Sequence, residues 1–145
     1  MLISQLVTSF IASAAFGLLF NAPRNTLFQC GFIGMVGWMF YFLLVEYRDV
    51  DSVPASIIAS FIIAIISGFF ARWYKAPIII FNVAGIIPLV PGGLAYDAMR
   101  HFVINDYNAA LQLAAKVLLI SGAIAVGLVF SEVLNQLLKK IKPAK

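Results

Sequence analysis

The chain has 145 residues, 63% of them hydrophobic and 11% charged, with a formal net charge of +4 and a mean hydropathy of +1.00. That apolar share lies far above the roughly half of a soluble domain, so there is too little polar sequence to cover a core in water. A soluble fold is excluded, no nucleic-acid partner is expected, and lipid is the solvent. The length is almost used up by spans of about 20 residues, the number that crosses roughly 30 Å of hydrocarbon.

Residues 1–20 carry no charge and form the first predicted span. A secretory signal would set a basic stretch before its apolar core and a small-residue cleavage site after it. No Lys or Arg precedes Arg24, so a retained helix is expected. In the turn Asn21-Ala22-Pro23-Arg24-Asn25, Pro23 fixes the bend and Asn25 is placed to cap the next helix. Arg24 stands at the mouth of the bundle, where it would guide an anion, although topology alone also explains an arginine there.

Residues 27–46 form the second span, closed by Glu46, with Trp38 near its middle. The lone Cys30 sits in an apolar run that suits packing and disfavours a thiolate. Residues 53–71 form the third, followed by Arg72-Trp73-Tyr74-Lys75, which suits a headgroup belt. Residues 76–104 are expected to be a broken fourth span, residues 109–135 a fifth whose stretch from Ala109 to Ser131 holds only Lys116, and residues 136–145 a basic tail. The connections are short, so neighbouring helices must form hairpins in one membrane domain, 1–145. The fold class predicted is an all-α integral membrane protein of about five transmembrane helices.

Translocated loops are depleted in Lys and Arg, which orients the bundle. With five spans, one side receives Arg24, Arg72, Lys75, Lys139, Lys140, Lys142 and Lys145; the other receives Arg48 and Arg100, with Lys116 just inside the last helix. The basic side is therefore expected to be cytoplasmic, with the N-terminus outside and the C-terminus inside. Small residues also recur every four positions, at Ser9, Ser13, Gly17 and Asn21, at Ser56, Ser60, Ala64 and Gly68, and at Ala123, Gly127, Ser131 and Asn135. Such stripes let helix backbones approach closely, or else line a polar path. Gly31, Gly34 and Gly37 add a similar face to the second span.

The most informative irregularity is Pro88-Leu89-Val90-Pro91-Gly92-Gly93. Two prolines remove amide donors and two glycines favour an unwound backbone, so the fourth helix must break here. Broken backbone at membrane depth survives only when buried in protein or lining a wet cavity. A half-helix should begin at Gly92 or Gly93, its free amides and positive end favouring an anionic group. Asn82 precedes the break, and Tyr96 and Asp97 follow it. An amide, a phenol and a carboxylate would complement a zwitterion or dicarboxylate, and Asp97 would carry a coupling proton if desolvated. Asp97 and His101, spaced i, i+4, form either a proton relay or a solvated interfacial pair. The candidate substrate-binding set is thus Asn21, Arg24, Asn82, Pro88, Pro91, Gly92, Gly93, Tyr96 and Asp97. No metal-ligand cluster and no nucleophile with a positioned base is visible, so neither a cofactor nor an enzyme is expected.

Phe20-Asn21-Ala22-Pro23, Arg72-Trp73-Tyr74 with Pro77, and Pro88-Leu89-Val90-Pro91-Gly92 with Tyr96 and Met99 resemble the threonine/serine exporter (ThrE) family in its short split-subunit form. The resemblance runs along most of the chain and is most specific from Arg72 to Met99. It implies a bacterial inner-membrane exporter of small amino acids such as threonine and serine, or of dicarboxylates such as succinate, driven by the proton motive force. It also implies a second, separately encoded membrane subunit (YjjP-like), and five short helices make self-association a further expectation. The alternative is a scaffold that does not transport and stabilises a partner through its small-residue stripes.

Overall fold

A computed structural model describes residues 1–141 as six helices and two 3-10 turns, with no strand among the described residues. The helices are α1 (Leu2–Leu19), α2 (Leu27–Arg48), α3 (Ser52–Tyr74), α4 (Ile78–Ile86), α5 (Gly92–Val103) and α6 (Tyr107–Ile141). Arg24–Thr26 forms a 3-10 turn before α2, and Ile87–Leu89 extends α4 by another. α1, α2, α3 and α6 are each long and apolar enough to cross a bilayer, whereas α4 and α5 do so only together, bent by 53°. Residues 136–141, expected as a basic tail, continue α6 as helix. Lys142 and Lys145, the remaining tail cations, lie outside the described residues.

The turns are tight because a non-glycine residue enters the left-handed region just past a helix end: Asn21 (φ 60), Asp49 (φ 50), Lys75 (φ 51) and Asn105 (φ 64). At Lys75 the amide bonds the Ala71 carbonyl and the amide of Ala76 reaches it as well, at 3.1 Å, closing α3. Asn and Asp tolerate this conformation through local hydrogen bonds, while lysine adopts it at a cost.

Pairwise contacts fix the directions. α1 and α2 are antiparallel, with Gly17 against Cys30 and Ser13 against Gly34. α2 and α3 are antiparallel, with Gly37 on Ile63 and Phe32 on Phe70. α4 returns alongside α3, with Phe81 by Phe70 and Gly85 by Ile63. α3 and α6 run the same way: Ser60 meets Gly127, Phe61 meets Phe130 and Gly68 meets Asn135. For α6 to start on the side where α3 starts, α4 and α5 must have carried the chain across. Hence the bent pair, fourth in chain order, carries the chain from one end of the bundle to the other, and the start of α1 and the end of α6 lie at opposite ends of it.

The small-residue stripes are the packing surfaces. The buried residues of α1 are Ser9, Ser13 and Gly17, and Ser60 sits so close to Gly127 that a methyl there would overlap its hydroxyl. Between helices in lipid no hydrophobic effect operates, so close backbone approach supplies dispersion contacts instead. Larger side chains fill the centre, where Ile33, Ile63 and Phe81 are fully buried beside Ala84 of α4.

α6 has 35 residues, about 52 Å at 1.5 Å per residue, well beyond a bilayer core of roughly 30 Å. Carrying the Gly68–Asn135 register back along both helices puts Ser52 level with Leu119. The first three turns of α6 therefore project past α3, and α5 packs chiefly on that projection.

Candidate functional site

The break is built by two successive tight turns. The amide of Val90 donates to the carbonyls of both Ile86 (3.2 Å) and Ile87 (3.3 Å), ending the 3-10 extension of α4. Val90 is extended (φ −61, ψ 127) and Pro91 (φ −78, ψ 52) closes an inverse γ-turn, with the Gly92 amide donating to Val90 O at 2.8 Å. α5 starts at Gly92, as expected. The turning residues, however, are Val90 and Pro91: no glycine has a positive φ, and Gly92 and Gly93 are already helical. A Cβ on either glycine would meet nothing within 4 Å. α5 has no side-chain cap at the positive end of the helix, and its Gly92 amide is taken by the Val90 carbonyl.

The nine candidate residues fall into three groups. Pro88, Pro91, Gly92 and Gly93 form the break, with Tyr96 (69% exposed) and half-buried Asp97 in the first turns of α5. Asn82 lies six residues before Pro88, inside the bundle. Asn21 and Arg24 are exposed at the other end, where Phe20 and Ala22 face Ile79, Ile80 and Val83 at the foot of α4. Two local expectations are corrected. His101 pairs with Asp106 (Nδ1 to Oδ2, 3.3 Å) and not with Asp97, because the Asn105 turn brings Asp106 back over α5. Asn25 does not cap α2; it lies within the 3-10 turn, where Thr26 Oγ1 donates to the Pro23 carbonyl at 2.7 Å.

Beside Pro88 the structure adds residues outside the candidate set, of which sequence reasoning passed over Gln5, Thr8 and Ala12 and read Ser9 and Trp38 for packing. Gln5, Thr8, Ser9, Ala12 and Trp38 line a cavity of about 200 Å³ with it. Trp38 Nε1 donates to Gln5 Oε1 at 2.8 Å, and its ring stacks on Tyr41. The available clue was Gln5, the one amide in an otherwise apolar and hydroxyl-bearing first span. Below this cavity the bundle closes. A Cβ on Gly34 would overlap the Ser13 hydroxyl, and one on Gly85 would lie 2.7 Å from Ile33 and 2.9 Å from Ile63. Within the bundle, three buried side-chain oxygens have no hydrogen-bond partner among the described residues: Ser13 Oγ on α1, Ser67 Oγ on α3 and Asn82 Oδ1 on α4. Native cores rarely leave such groups unpaired, since each costs about 1–3 kcal/mol.

Residues 5–134 match the model of the threonine/serine exporter family, ThrE. The chain belongs to this family. No solved structure matches it. The match takes in the break, the orphaned oxygens and both ends of the bundle, so these are features of an exporter-type transporter component that crosses the membrane several times.

Among the described residues of this ThrE chain, the buried polar side-chain groups are an amide oxygen and hydroxyls, not ionised side chains. Neutral donors and acceptors at this depth suit a polar molecule that has shed its water, because they satisfy its hydrogen bonds without burying an unpaired charge of their own.

Proposed function

We propose that this ThrE-family chain is one subunit of a secondary transporter in the bacterial inner membrane. It exports small amino acids such as threonine and serine, or dicarboxylates such as succinate, using the proton motive force. The basic ends of α3 and α6 face the cytoplasm and the start of α1 faces outward. A second ThrE-type (YjjP-like) subunit, or further copies, completes the assembly; the apolar faces that Tyr96, Met99, Phe102 and Leu111 leave exposed on α5 and α6 support that pairing.

The observation that carries the reading is the broken fourth crossing with unpaired oxygens on and around it. α4 touches α1, α2 and α3 and is the shortest of the membrane-embedded helices. Gly85 of α4 brings its carbonyl close to Gly34 of α2, and its missing side chain leaves only backbone on α4 to move past Ile33 and Ile63. Rocking α4 about the Val90–Pro91 turn would open the closed layer first to one side and then to the other, offering Asn82, Ser13 and Ser67 to the substrate. This is the alternating access expected of discontinuous helices.

The test is efflux of labelled threonine and of labelled succinate from proteoliposomes holding the chain alone, then the chain with its second subunit, with and without an imposed pH gradient. Gradient-stimulated efflux is expected in the paired sample. Efflux from neither sample refutes the reading, and efflux from the chain alone excludes a pure scaffold.

A further inference from the structure

At the basic end, the last turn of α3, the start of α4 and the last turns of α6 enclose a cavity of about 260 Å³. Arg72, Glu132, Asn135 and Lys139 form its polar wall, and Gly68 and Ile78 form its apolar floor. Glu132, Asn135 and Lys139 are spaced i, i+3, i+7, so one face of α6 presents all three. Arg72 reaches over from α3, its Nη2 donating to Asn135 Oδ1 at 3.4 Å.

The charges in this wall do not neutralise one another. Among the described residues no ion pair joins Glu132 to Arg72 or to Lys139; the Glu132 carboxylate instead accepts a hydrogen bond from Gln136 Nε2 at 3.2 Å. Two cations and one carboxylate around a small cavity, held apart rather than paired, leave room for a molecule with the complementary pattern. The volume is just below the roughly 300–1,000 Å³ of sites for drug-sized ligands, which suits a smaller one.

We infer that this cavity is a binding site for the zwitterionic form of a small α-amino acid. Its carboxylate lies between the Arg72 guanidinium and the Lys139 ammonium, its ammonium faces Glu132, and its side chain points toward Asn135 and Ile78. Arginine grips a carboxylate with two parallel donors, which fixes orientation as well as charge. Glu132 sets the class of ligand: a dicarboxylate would bring its second carboxylate against it. Asn82, with its orphaned oxygen, lies one turn beyond Ile78 on the same face of α4. The inference deepens the exporter reading and rests on it for the identity of the ligand.

A phosphoethanolamine headgroup carries the same pair of charges, so the experiment separates the two sources. Binding of labelled threonine to the purified full-length chain in detergent is measured by scintillation proximity. Unlabelled serine, succinate and a short-chain phosphatidylethanolamine serve as competitors, and efflux is followed in parallel. Saturable binding is expected, displaced by serine and not by succinate. Arg72→Gln and Glu132→Gln should each raise the half-saturating concentration about tenfold, as expected for losing a charge-assisted hydrogen bond. Lys140→Gln, a neighbouring cation outside the cavity wall, should change it less than about twofold. Glu132→Gln should also let succinate compete, which a purely structural role for Glu132 would not produce.

Unchanged affinity in both cavity variants overturns the site, as does succinate displacing threonine from the native chain. Displacement by the lipid but not by serine assigns the cavity to a headgroup and overturns it too, as does absence of saturable binding below about 1 mM, the upper end of ordinary KM values. Binding without any efflux leaves the site standing and removes the transport reading.

Discussion

Replacing Asn82 with leucine should make the protein more stable and less active at once. Asn82 Oδ1 is buried and unpaired, and the residue makes no side-chain hydrogen bond among the described residues. Phe81 and Ala84 of the same helix lie in the core. Leucine keeps the branching and the heavy-atom count of asparagine and removes the desolvation cost. An orphaned buried polar group costs about 1–3 kcal/mol, which for a chain of this length corresponds to a melting temperature higher by roughly 3–12 °C. If the oxygen serves the substrate in transit, export should fall about tenfold or more, because a hydrogen bond made only as the substrate passes is lost. Thermal unfolding followed by size-exclusion fluorescence gives the first quantity and threonine efflux the second. A variant that melts lower, or exports at the native rate, refutes the argument that this oxygen is left unpaired for a passing ligand.

Three further outcomes follow from the geometry. Gly34→Ala should destabilise by about 1–3 kcal/mol through overlap with Ser13, and adding Ser13→Gly should restore most of the loss; equal melting of Gly34→Ala and the native chain would contradict the close packing of α1 on α2. Gly92→Leu should insert and melt like the native protein, since a side chain there enters open space, yet should reduce efflux severalfold by screening the first amides of α5. In a Cys30→Ser background, Ser4→Cys should react with an impermeant thiol reagent only from outside and Gln136→Cys only from inside; labelling from one side alone would mean an even number of crossings.

Much of this architecture is local physics, and that part was readable in advance. Uncharged runs of about 20 residues mark α1, α2 and α3 because hydrocarbon thickness sets their length. Two prolines place the break, since a missing amide is a property of the residue itself. The stripe at Ser9, Ser13 and Gly17 is buried as its spacing implies. What could not be read is the relation between stripes. Nothing in Ser60 or Gly127 says that α3 and α6 run in the same direction, or that α6 outruns its partner by three turns. The roles of Gly92 and Val90 were exchanged because proline's own ψ freedom lets Pro91 close a γ-turn and spare the glycines. Residues of the candidate set scattered along the bundle for a related reason: sequence proximity to a break places them on α4 and α5, while Gln5, Trp38, Glu132 and Lys139 reach cavities only through tertiary packing.

The shared direction of α3 and α6 also constrains how two such units are joined in one polypeptide. Fusing the end of one to the start of another without an extra crossing flips the second unit upside down, so the two would be related by an axis lying in the plane of the bilayer. Separate chains are free of that constraint: inserted independently, they keep their lysine-rich ends on one face and are related by rotation about the bilayer normal.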